Sequence, residues 1–496
     1  MSSTMSQKTL SRRSFIQSGI AFGGALATGA RWSPAMATAP VLKVYSRTIE
    51  VNRQAAKVFS VAAKDGAKGI YANEGDRLSG SLFNATDEPL QMHWHGQIKA
   101  PYDQDRARPG GSALPPGQSD AHDFELTAGT HWMHSHSLSE QQMLAAPMVA
   151  REKDTGDVQD VVIMLHDFAF RSPQEILAEL GGKSAHEGHE TAAPSRAQSM
   201  PPAMPGMPHG PGMMHAMPGP GSSPMMMGTP HANDVRYDAY LANDRTLDDP
   251  EVVKVDRGGR VRLRVINGGT ATAFFISMPG LIARCVSVDG TPCQPVEATT
   301  FPIAQGQRID LVAEIPGDGG AFPVLAQVEA SQFVTGIVLA TPGATIRKLA
   351  TSAEQTSGMV DLGFESQIRA VQPLSPKQSD KAFMVMLGEE PGYRWTINGR
   401  VHGEHQPFEV RLGERVEMTF MNPTMMMHPM HLHGHHFQVL ALGGRRFSGA
   451  VRDTVIVPPH APVTIAFDAA QRGAWLMHCH HLYHMATGMM TEVRIV

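Results

Sequence analysis

The residues from His478 to Met490, HCHHLYHMATGMM, crowd four histidines, one cysteine and a methionine pair into thirteen positions. A thiolate at Cys479, an imidazole at His484 and a thioether at Met489 are donor types of a blue-copper centre, which takes two His, one Cys and a weak axial Met. The second histidine must come from elsewhere in the chain.

Three further motifs supply imidazoles in pairs: His93 and His95 in HWHG, His134 and His136 in HSH, and His431 and His433 in HPMHLHG; His478 and His480 form a fourth pair. On a strand, residues i and i+2 point to one face, so each H-x-H pair aims both rings at one site and the middle residue the other way. Eight histidines so arranged imply a cluster of several metals. Cys479, a middle residue, faces away from that cluster towards His484, Met489 and His428, the last lying three residues before His431. An electron reaching Cys479 is then one residue from His478 and His480.

A repeat shows which elements position these residues. Gly75 to Asn84, Gly258 to Asn267 and Gly413 to Asn422 each span nine residues, with Arg two after the Gly, and read as a turn followed by a strand in three related domains. Nine and eleven residues after Asn84 and Asn422 fall the paired histidines, whereas the same offsets after Asn267 give Ile276 and Met278. Domains one and three therefore share the cluster, and domain two holds no ligand. HSH and HCH also correspond, each beginning five residues after a glycine, Gly129 or Gly473. By equal counting, Ser135 stands for Cys479, Glu140 for His484 and Ala145 for Met489, so domain one lacks a mononuclear site.

Short alternating runs such as Val261–Val265, separated by Gly, Pro, Asn and Asp, predict an all-β chain of sandwiches. At 496 residues there is room for about three domains. The expected division is a signal peptide over 1–37, domain one over 38–180, an insertion over 181–232, domain two over 233–365 and domain three over 366–496. A net charge of -5 with mixed signs shows no nucleic-acid surface and no polybasic membrane anchor. SRRSFIQ, with Arg12 and Arg13, precedes a weakly apolar run and Ala35-Met36-Ala37; this predicts twin-arginine export to the bacterial periplasm, with no stable membrane insertion. That compartment permits disulfides, and Cys285 and Cys293 flank a turn that a bridge could span. The insertion is rich in Pro, Gly, Met and His, with nine methionines between Met200 and Met227. It reads as an unpacked linker whose thioethers suit extra Cu(I). Met425, Met426 and Met427 form a second methionine patch beside His428.

HWHG, HSH, HPMHLHG and HCHHLYHMATGMM, in this order, resemble the motifs of the three-domain bacterial multicopper oxidases, of the laccase, cuprous oxidase and copper-resistance types. The resemblance implies three cupredoxin-like Greek-key domains and four copper ions. Type 1 copper is implied at His428, Cys479, His484 and Met489, and type 2 at His93 and His431. A type 3 pair is implied at His95, His134, His136, His433, His478 and His480. Asp103 and Asp105 flank the place where relatives carry a proton-delivering Asp, and Asp453 fits a family position near the type 1 site. The implied reaction takes single electrons from a reductant and reduces O2 to water. Cu(I) in copper tolerance is the favoured reductant. Alternatives are a laccase-like oxidase of phenols, bilirubin or other metals, and a non-enzymatic copper-sequestering protein or division-associated scaffold. Oligomeric state is not legible.

Overall fold

The computed structural model describes residues 41–153, 155–181 and 232–496. The export signal and all but the end residues of the insertion lie outside the described residues. The fold is 48% strand and 6% helical, as the alternating patterns require. Six sheets stack in pairs. The first sandwich sets Val41–Val51, Gln54–Ala62, Arg77–Asn84 and Ser119–Glu125 against Ile70–Asn73, Met92–His95, Gly129–Ser135 and Ala145–Arg151. The second is a six-stranded sheet, including Arg260–Asn267 and Arg308–Glu314, facing a five-stranded one. In the third, a seven-stranded sheet covers a five-stranded sheet that includes His428–Leu432 and Gly473–Cys479. One boundary differs from expectation: Gln159–Phe168, inside the 38–180 segment, runs parallel to Arg260–Asn267 and completes the second sandwich. An alternating strand announces its inward face but not its partner sheet.

The Gly-to-Asn repeat has one physical basis in all three sandwiches. Gly75, Gly258 and Gly413 have φ of 94°, 66° and 84°, a left-handed turn that disfavours a Cβ. The strand that follows ends at a buried asparagine whose side chain replaces the missing sheet partners. Asn84 Nδ2 donates to the carbonyls of Glu88 and Leu114, Asn267 Nδ2 to Thr272 and Ile303, and Asn422 Nδ2 to Met426 and Val457. Each Oδ1 accepts a backbone N–H two residues on, from Thr86, Gly269 or Thr424. These satisfied turns fix where the next strand begins, and so where the histidines fall. The counterparts Ile276 and Met278 are buried in the second core.

Cys285 and Cys293 lie on neighbouring antiparallel strands of that core, buried, with their thiols 3.8 Å apart and not bridged. No helix among the described residues is long and apolar enough to cross a membrane.

Candidate metal centre

The histidine strands pair in matching registers, His93 opposite His134 in the first sandwich and His431 opposite His478 in the third. The four strand segments meet face to face, and all eight rings are buried. His93 Nε2 lies 3.2 Å from His431 Nε2. His478 Nε2 lies 3.1 Å from His136 Nε2 and 3.0 Å from His433 Nε2, and His95 Nδ1 is 3.4 Å from His134 Nε2. His480 packs near His95 and His134, with ring centroids at 5.2 and 5.1 Å. The halves are related by a pseudo-twofold: His93 stacks on His433 and His95 on His431, each at 3.7 Å and 17°.

Cys479 points into the third sandwich. Its Sγ lies 3.6 Å from His428 Nδ1 and 3.7 Å from His484 Nδ1, and the backbone N–H of His481 donates to it at 3.4 Å. Met489 shares the same buried core cluster and accepts the Cys479 N–H on its carbonyl. Thr424 Oγ1 bonds His428 Nε2 at 2.9 Å, leaving Nδ1 towards the sulfur. Burial raises the Cys479 thiol pKa, a penalty that a bound cation would offset by holding the thiolate.

The outer hydrogen bonds orient the rings. His93 Nδ1 meets Asp105 at 2.7 Å and His431 Nδ1 donates to the Asp453 carbonyl at 2.9 Å. His478 Nδ1 donates to the Cys479 carbonyl at 2.9 Å; His134 Nδ1 has the Ser135 carbonyl at 3.0 Å and Glu140 at 3.1 Å. Of the two acids flanking Gln104, Asp105 is buried on His93 and Asp103 is exposed. Burial pushes Asp105 up to about 7 and raises Glu140 as well. Trp94 and Trp132 are packing residues, Trp94 donating to the Gln104 carbonyl and Trp132 stacking on His134.

Three placements correct the sequence reading. Asp453 is not beside Cys479; its carboxylate accepts from His95 Nε2 at 3.0 Å, within the eight-histidine cluster. The hydrogen-bond equivalent of Met489 is Leu144, whose carbonyl receives the Ser135 N–H, rather than Ala145. Equal counting fails there because the third sandwich has one more residue in the connection: His478 pairs with Met490, whereas His134 pairs with Ala145. Asp234 was missed altogether. Its carboxylate lies 3.2 Å from His481 Nε2 and 3.6 Å from His484 Nε2, and accepts from Tyr393 Oη. Burial works to raise its pKa, but the two imidazoles outweigh it and hold the carboxyl well below the usual range. It lies beyond the insertion with no motif around it, so only the fold could reveal it. His481, also buried, stacks on His484 at 3.7 Å, while His131 and His436 lie around Asp453 and His435 packs on Trp475.

Residues 43–154, 212–344 and 375–496 each match a family model described as multicopper oxidase. Over 434 residues, 86% of this chain and 80% of the relative, the sequence is 30% identical to Multicopper oxidase MmcO of Mycobacterium tuberculosis. The chain belongs to the multicopper oxidase family. Copper resistance protein A of Escherichia coli is 25% identical over 539 residues, covering 85% of this chain and 86% of that protein. Among solved structures, the multi-copper oxidase of Pseudomonas thermotolerans matches with a TM-score of 0.65 at 20% identity, over 92% of this chain and 98% of the other. Fet3p, a multicopper oxidase that functions in iron import, matches with a TM-score of 0.71 at 14% identity, over 92% and 90%. The sandwiches are thus of the cupredoxin fold. This multicopper oxidase is a copper-dependent oxidoreductase.

The donor set fits copper. Desolvation, with mutual repulsion, drives His93, His428, His433, His478 and His480 well below the ordinary histidine range, so these five rings are neutral. Neutral rings keep a lone pair free for a cation. A thiolate with two imidazoles and a nearby thioether matches the preferences of copper better than those of zinc.

Proposed function

We propose that this multicopper oxidase couples one-electron oxidation of a reductant to reduction of O2 to water through four copper ions. In this reading His428, Cys479, His484 and Met489 hold type 1 copper. His93 and His431 hold type 2, and His95, His134, His136, His433, His478 and His480 hold the type 3 pair. The bound metals would supply reversible one-electron storage, enough in sum for the four electrons O2 requires. What carries the reading is the tripeptide His478-Cys479-His480: the sulfur faces His428 and His484 while both flanking rings face the eight-histidine cluster. One backbone segment then joins the residue that receives electrons to those that pass them on. Asp105, buried against His93, is the residue best placed to hold a proton for the product water.

Cu(I) is the proposed physiological reductant, in copper tolerance, with phenol oxidation as a side activity. Two observations support it besides the names of relatives such as copper resistance protein A. Thioethers are abundant between Met200 and Met227, and soft sulfur donors suit Cu(I). Asp234, two residues beyond the insertion's last residue, Ala232, puts a carboxylate against His484 at the outer edge of the Cys479 site, where a cation would be welcome. The exported location, in the periplasm after the twin-arginine signal, belongs to the same proposal. A sequestering protein or scaffold would not need the complete donor sets that converge here.

Oxygen uptake with Cu(I), a phenol and bilirubin, in the whole protein and after deletion of residues 183–230, tests the substrate. Cu(I) turnover should fall selectively on deletion. Unchanged Cu(I) turnover removes the insertion from the function, and uptake with none of the three reductants refutes the oxidase reading.

A further inference from the structure

The second sandwich holds no paired histidines, yet it touches the cluster at two points. The Cα of Gly306, at φ 79°, sits so close to His480 that a Cβ would lie 2.5 Å from the ring. The second point is Arg308. Its side chain is fully buried, and its guanidinium distributes its N–H groups over all three sandwiches. Nε donates to the Thr130 carbonyl at 3.1 Å in the first. Nη1 donates to the Gly306 carbonyl at 3.0 Å, and Nη2 to the Asp289 carbonyl at 3.1 Å, both in the second. The remaining N–H groups grip Asp453 of the third bidentately, at 2.7 and 2.5 Å, and Nη2 also lies 3.2 Å from His131 Nδ1. A fork of five donors in one plane can make this set; the three donors of a lysine ammonium cannot.

Asp453 relays the constraint to the cluster. Its Oδ1 accepts from His95 Nε2 at 3.0 Å and from Thr454 Oγ1 at 2.9 Å, and its carbonyl accepts from His431 Nδ1 at 2.9 Å. His95 comes from the first sandwich and His431 from the third, so Asp453 spans both halves of the site. Holding the proton of His95 on Nε2 leaves Nδ1 as the lone-pair nitrogen, the one that faces His134. Such outer hydrogen bonds fix tautomer and ring direction at metal sites.

We infer that Arg308 is a positioning residue for the eight-histidine copper cluster, setting the orientation of His95 and His431 through Asp453. The inference rests on the assignment of these rings as copper ligands. It gives the ligand-free second sandwich a role in the chemistry, because the residue that aligns the two halves belongs to neither.

The test compares wild type, Arg308→Lys, Asp453→Asn and the double variant, each loaded with copper. Measurements are total copper, visible absorption, the electron paramagnetic resonance spectrum, thermal unfolding and copper loss to a chelator. Arg308→Lys should keep the visible band of the thiolate site, since Thr130, Gly306, Asp289, Asp453 and His131, the groups that Arg308 bonds, are not donors to that site. Retention of that band reports an intact third sandwich. Cluster copper should be lost at about 10- to 100-fold lower chelator concentration, with an altered type 2 signal. Because Arg308 acts through Asp453, the double variant should be no worse than the more severe single one. Equal copper retention and an unchanged type 2 signal in Arg308→Lys would overturn the inference, as would additive losses in the double variant. Absence of the visible band from loaded wild type would instead refute the copper assignment itself.

Discussion

The first and third sandwiches present the same strands to the shared cluster and use the space behind them in opposite ways. Behind HCH the third sandwich gathers Cys479, His428, His484 and Met489. Behind HSH the first sandwich has Ser135, with Leu90 and Leu144 buried where His428 and Met489 have their counterparts. The Ser135 hydroxyl closes a local ring with Ser137 and Ser139 at 2.9 and 2.8 Å, and Glu140 turns to the ring of His134. The outer contacts differ in the same sense. His431 and His478 donate to backbone carbonyls at 2.9 Å, with the Asp453 carboxylate 3.6 Å from His431, whereas their counterparts meet carboxylates more closely, His93 at Asp105 (2.7 Å) and His134 at Glu140 (3.1 Å). One strand frame thus carries the sulfur donor behind its third-side strand and, on the first side, the acids Asp105 and Glu140 against His93 and His134, the division of labour between electrons and protons that the proposed function calls for.

The largest effect should come from removing the sulfur. Cys479→Ser gives the third sandwich the residue of the first, and is expected to abolish the visible absorption and to reduce oxygen uptake with every reductant to background. Spectra and an oxygen electrode decide this. Residual uptake near the wild-type rate would mean that electrons reach the cluster by another route, and the division of labour would fall.

Asp105 tests the proton side. With burial raising it to about 7, it is protonated below that pH and ionised above, so a donor role predicts that uptake at saturating reductant falls as pH rises through about 7. Asp105→Asn should remove that limb and slow uptake at lower pH by about 100-fold, the low end for a lost general acid. A pH profile unchanged by the substitution would assign the proton to another group. Glu140→Leu should have a smaller effect. His134 would keep only the Ser135 carbonyl, weakening copper retention by about 10-fold, while Glu140→Gln, which preserves an acceptor, should restore most of it. Chelator titration separates the two variants.

How much of this division was legible in the chain follows from whether each feature is local. The H-x-H pairs, the side taken by Cys479 and the Gly-to-Asn turns depend on strand period and on backbone satisfaction within a few residues, and all of these are written in spacing. The Leu144 counterpart of Met489 was misread as Ala145 because one residue is added in a connection, which no period reveals. Asp234, Asp453 and Arg308 join segments between 145 and 358 residues apart. Their partners are set by the docking of sandwiches, so their chemistry is invisible in one dimension. The same holds for Gln159–Phe168, whose alternating pattern names a face and leaves its sheet undetermined.

The smallest expected effect is the reciprocal of the first substitution. Ser135→Cys restores a thiol at the position equivalent to Cys479, on a strand of the same register, in a position just as buried. It should nevertheless yield no second visible band and no change in uptake beyond about twofold, because a thiolate without imidazole partners makes no blue site. Leu90 and Leu144 offer no donors, and Glu140 is directed at His134. Adding Leu90→His to Ser135→Cys supplies one imidazole and still leaves the set short of a second. A new charge-transfer band in either variant would show that the strand frame alone attracts copper, and that the neighbours contribute less to the third sandwich than its geometry implies.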